Sequence, residues 1–81
     1  MKEVAVVTHY FTNIGVAVIK LSADIKVGDT IQFQGSDTDF EQVVDSMQVE
    51  HEPIQEAKKG DEVGLKVKDK VKEGDKVLLK E

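Results

Sequence analysis

The sequence predicts an all-β fold, a closed or nearly closed antiparallel barrel of six strands, and three observations carry that prediction. One corner is written three times: Lys26-Val27-Gly28-Asp29-Thr30-Ile31, Lys58-Lys59-Gly60-Asp61-Glu62-Val63 and Lys72-Glu73-Gly74-Asp75-Lys76-Val77. Glycine adopts positive φ at little steric cost and an Asp carboxylate accepts a nearby backbone N–H, so the pair builds a tight bend into the strand that follows. Thirteen Val and five Ile against four Ala and four Leu is a strand composition, because branching at Cβ suits a pleated surface. About six apolar runs joined by short turns hide their edges most simply by closing on themselves.

The runs follow in order. Val4 to Thr8 is continuously apolar and reads as a strand buried on both sides, followed by His9-Tyr10-Phe11 as a loop and Asn13 as a turn residue. Ile14 to Leu21 is the second strand, apolar on both faces until Lys20, a pattern that calls for a covering layer or a partner. Thr30 to Gln34 alternates, with Ile31 and Phe33 inward. Phe40 to Val49 is the fourth strand, with Val44 signalling a bulge or bend, and Pro53 ends the pairing nearby. A short irregular link holding Ile54 and Ala57 leads to strands Val63 to Val67 and Lys76 to Lys80.

Eighty-one residues make one domain, 1–81, with a single modest core. With no Cys there are no disulfides or thiolate metal sites, so apolar burial must carry stability. No apolar run reaches the roughly 18 residues of a membrane span, and Met1-Lys2-Glu3-Val4 does not begin a signal peptide, so the cytoplasm is the expected location. The net charge of −5 is uneven: residues 21–56 hold one Lys and nine acids, residues 57–81 eight Lys and six acids. Arg is absent, which removes the fork that phosphate and guanine recognition most often uses.

From Gly15 to Lys80 the chain resembles the β-barrel second domain of translational GTPases of the elongation factor Tu type. The likeness rests on Ile14-Gly15-Val16-Ala17-Val18, the Lys26 to Ile31 corner, Val44 to Val49, and above all Ala57-Lys58-Lys59-Gly60-Asp61-Glu62-Val63-Gly64-Leu65, with Glu73-Gly74-Asp75-Lys76-Val77-Leu78 at the close. Its length and the His9-Tyr10-Phe11 opening are most similar to a small stand-alone elongation-factor-like family. The resemblance implies a translation-related binding module, with ribosome or structured RNA as partner. It does not imply nucleotide hydrolysis, because no Gly-x-x-x-x-Gly-Lys-Ser/Thr loop is present. The family's acceptor-end contacts do not carry over either: there is no Arg, and Gln48 stands at the position of the family's Glu. Ala23 replaces a Gly common before the first corner.

The residues offer no active site and no cofactor. His51-Glu52-Pro53-Ile54-Gln55 begins like a zinc motif but lacks the second His, and its Pro opposes the helix the motif needs. Asp37, Asp39 and Glu41 have a spacing that can converge on Ca²⁺, but the Gly and terminal acid of such a loop are missing, and a solvated acidic turn is the better account. No Ser stands in a nucleophile elbow. The expected function is therefore non-enzymatic binding, through His9, Tyr10 and Phe11 and through Lys66, Lys68, Lys70 and Lys72, which alternate along one face if the segment is extended. Those Lys either meet phosphates or guard a strand edge, and His9 is a binding handle or a partly buried edge residue. The alternative function is a protein interaction or accessory barrel module outside translation, docking through strand 14–21.

Overall fold

Each Lys-x-Gly-Asp copy folds into the same object. Gly28, Gly60 and Gly74 have φ of 100°, 92° and 91°. The Asp N–H donates back to the Lys carbonyl three residues earlier, at 3.1 Å for Asp29 to Lys26, 2.9 Å for Asp61 to Lys58 and 3.1 Å for Asp75 to Lys72. That is a type II turn, whose third residue needs positive φ. The Asp carboxylate then accepts the Lys N–H, at 3.0, 3.1 and 2.9 Å in the three copies. The Gly N–H and the Asp carbonyl both bond to one residue of an adjacent segment: Val44, just past a strand end, for the first corner, and the strand residues Leu21 and Val7 for the second and third. Two residues opposing one, with Gly at positive φ, is a G1 bulge, which bends the strand and increases its twist. All three opposing residues are buried, so every corner is bolted to the core.

The computed structural model describes residues 2–36, 38–49 and 52–80. Ten strands lie among them: β1 Lys2–Phe11, β2 Val16–Leu21, β3 Ile25–Lys26, β4 Thr30–Gln34, β5 Asp39–Val43, β6 Met47–Val49, β7 Glu52–Ile54, β8 Glu56–Ala57, β9 Glu62–Lys66 and β10 Lys76–Lys80. Eight form one sheet in the order β5-β4-β10-β1-β2-β9-β6-β7, and β3 pairs with β8. The pairs are antiparallel. The inward face carries Val4, Val7, Ile19, Ile31, Phe33, Val44, Met47, Val63, Leu65 and Val77, each at 1% exposure or less. Phe33 stacks on Phe40 with ring centroids 5.1 Å apart.

The all-β prediction holds, while the six-strand barrel is replaced by ten strands and a backbone ladder that stays open, with β5 and β7 at its ends. The cause is the first corner. By bonding to Asp29 and Gly28, Val44 leaves the sheet, so the predicted strand Phe40 to Val49 splits into β5 and β6. The link near Ile54 is likewise not irregular. Pro53 pairs with Gln48 in the middle of β7, an edge strand where a missing N–H costs nothing, and Ala57 pairs with Ile25. The predicted strand Ile14 to Leu21 begins at Val16, because Phe11–Gly15 is a turn closed by Gly15 N–H to Phe11 O at 2.9 Å.

The open ladder nevertheless curls. Gln42 on β5 donates from Nε2 to Lys66 O at 2.9 Å and accepts Lys68 N–H on Oε1 at 3.0 Å, spanning from one end of the sheet to the end of β9.

Candidate functional site

His9, Tyr10 and Phe11 are not a loop: they end β1, opposite Val18, Ala17 and Val16. Tyr10 packs partly against the core, whereas Phe11 is 44% exposed. The His9 and Phe11 rings lie 4.6 Å apart, and His9 Nδ1 is 3.3 Å from Glu73 Oε1 in the third corner. The turn that follows lifts Ile14 to 62% exposure, beside a cleft of about 330 Å³.

The lysine row is not one extended face. Lys66 ends β9, Lys68 and Lys70 follow outside any strand, and the Lys72 N–H is committed to Asp75. Buried Val67 and Val71 anchor the segment, which leaves Lys66, Lys68, Lys70 and Lys72 at the surface. Strand β2 is paired on both sides, and Val16 and Val18 on its second apolar face are half-buried. Ile14 lies just before β2 and is more exposed than its neighbours inside the strand.

The structure joins the two predicted surfaces along one segment. Val67 N–H donates to Gly15 O at 2.9 Å, so the hairpin tip lies against the stretch between Lys66 and Lys68, while His9 meets Glu73 just beyond Lys72. Sequence reasoning missed the other side of that stretch. There a cleft of about 390 Å³ opens beside Gln42, Asp45 and Ser46, next to Val43 at 47% exposure. A signal was available in the alternation: Gln42 shares a face with Phe40 and opposes buried Ile31, so a polar side chain was bound to point inward there.

Asp39 accepts a hydrogen bond from Gln32 Nε2 at 2.7 Å, and Glu41 pairs with Lys80 at 2.9 Å; Asp37 and His51 lie outside the described residues. Among the described residues no group of three His, Cys, Asp or Glu is placed to hold a metal ion. No described helix is long and apolar enough to cross a membrane.

No family model matches the chain. It is 46% identical over 81 residues to an uncharacterized protease of Methanocaldococcus jannaschii, a match covering 98% of this chain and 20% of that protein. The chain thus spans about one fifth of the length of the curated relative it matches. Two crystal structures of the C-terminal domain of a putative U32 peptidase of Geobacillus thermoleovorans superpose with a TM-score of 0.92. At 21% identity one covers 96% of this chain and 99% of the domain; at 20% the other covers 99% and 93%. The fold is that of this C-terminal domain.

These matches overturn the elongation-factor resemblance and the translation role it implied. The residues that carried the likeness were mainly the Gly-Asp corners. Those corners encode a turn and a bulge, which a strongly bent antiparallel sheet can use whatever its lineage.

Proposed function

We propose that this chain is a non-catalytic accessory domain, working through its surface as a protein-facing module of a protease-related polypeptide. One observation carries the reading: the likeness to the methanogen protease takes in nearly all of this chain and one fifth of that protein, a part the size of a domain. The placement of the polar groups supports it. Asp29, Asp61 and Asp75 each hold a corner, and the large exposed apolar side chains, Phe11, Ile14 and Val43, stand at the hairpin tip and beside the Gln42 clamp. In this reading the curled sheet is a nearly closed barrel with Gln42 bridging its open side. The test is incubation of the purified chain with a quenched fluorescent casein. The fluorescence is expected to stay at the buffer rate; a signal that scales with the chain through successive purification steps overturns the proposal.

A further inference from the structure

The clamp between Gln42 and the end of β9 has the chemistry of a strand neighbour. Along Lys66 to Lys68 the backbone alternates as a paired strand does: Val67 N–H bonds toward β2 through Gly15 O, while Lys66 O and Lys68 N–H face the other way. On that other side β6 covers β9 at Gly64 and Leu65 and then departs, because Val44 is held by the first corner. The vacated ladder position is filled by one side-chain amide. The Gln42 side-chain amide, with an NH2 donor and a C=O acceptor on the same side, makes one bond of each kind at 2.9 and 3.0 Å, the two kinds that the N–H and C=O groups of an added strand would supply. The cleft beside it, about 390 Å³, is within the range of ligand sites and is bounded by the Asp45–Ser46 connector.

We infer that the Lys66–Lys68 edge is a docking site for a short extended peptide segment with acidic residues at alternate positions, and that Gln42 is an intramolecular stand-in that the peptide main chain displaces. Strand addition supplies affinity through main-chain hydrogen bonds and selectivity through alternate side chains. The selectivity here is set by Lys66 and Lys68, which share one exposed face two residues apart and make no ion pair among the described residues. The inference rests on the protein-facing reading above and names the partner's chemistry.

The ¹⁵N-labelled chain is titrated with acetyl-Thr-Glu-Val-Glu-Thr-amide while the amide resonances are followed. The Lys66–Lys68 signals are expected to shift saturably. Gln42→Ala is expected to bind about tenfold tighter, because two hydrogen bonds no longer have to be displaced. Gln42→Asn, one methylene short of the clamp, is expected to act in the same direction and serves if the alanine variant is poorly folded. The analogue acetyl-Thr-Lys-Val-Lys-Thr-amide is expected to bind more weakly. Absence of saturable shifts at Lys66–Lys68 in all forms, equal affinity of native and Gln42 variants, or equal binding of the basic peptide each overturns the inference. Peptide that is bound but cut overturns the non-catalytic reading and leaves the edge assignment standing; peptide neither cut nor bound overturns the edge assignment alone.

Discussion

The Thr38 hydroxyl donates to the Asp75 carboxylate at 2.6 Å across 37 residues of sequence, and both side chains are buried. The turn after β4 is thereby fastened to the third corner, whose Asp serves two partners, Thr38 and the Lys72 N–H. Removing the hydroxyl leaves a buried carboxylate one donor short. Thr38→Val is expected to lower the unfolding free energy by about 1.5–3 kcal/mol, read from urea denaturation. Asp29→Ala and Asp61→Ala, whose carboxylates make solvent-facing bonds, are each expected to cost about 0.5–1.5 kcal/mol. Asp75→Ala should exceed both.

Gly35 is a different kind of glycine from those in the corners. A Cβ added there would fall on the Asp75 carboxylate, whereas nothing stands within 4 Å of a Cβ on Gly28, Gly60 or Gly74. Alanine at a corner therefore meets only the left-handed backbone cost, about 1–2 kcal/mol. Gly35→Ala should cost more than any of these, and part of its penalty should vanish in an Asp75→Ala background. A double-mutant cycle measures that coupling.

Phe33 is fully buried and stacked on Phe40. Phe33→Ala should remove about 3–5 kcal/mol, a large share of what so small a body has, and equilibrium unfolding or loss of chemical-shift dispersion would register it.

At the opposite extreme, Ile14 is 62% exposed and Glu41 pairs with Lys80 in solvent. Ile14→Asp and Glu41→Gln are each expected to leave stability within about 0.5 kcal/mol, checked by thermal unfolding. A larger loss from Ile14→Asp would mean that the hairpin tip belongs to the core and not to a working surface.

How much of this was legible from residues follows from the range of the interactions. The corners were, because a Gly at positive φ and an Asp bonding three residues back are local chemistry, and all three copies do the same thing. Inward Ile31 and Phe33 were legible from alternation. The break at Val44 is legible as a bend, but its consequence is not: Val44 is taken by a corner fifteen residues earlier in sequence, and only that long-range bond divides β5 from β6. The Gln42 clamp was hidden for the same reason, since its partners lie more than twenty residues away. The lineage was misread because the repeated corner reports bending, and bending is shared by unrelated sheets.

Three copies of one corner, each bonded to a buried aliphatic residue, shape the body of the fold. Residue-resolved hydrogen exchange on the native chain tests it most directly. The amides of Gly28, Gly60 and Gly74, together with those of Val44, Leu21 and Val7, should exchange among the slowest and at similar rates, because all six are bonded within the corner bridges. Exchange of these amides at the rate of unprotected peptide, with slow exchange confined to strand centres, would contradict it.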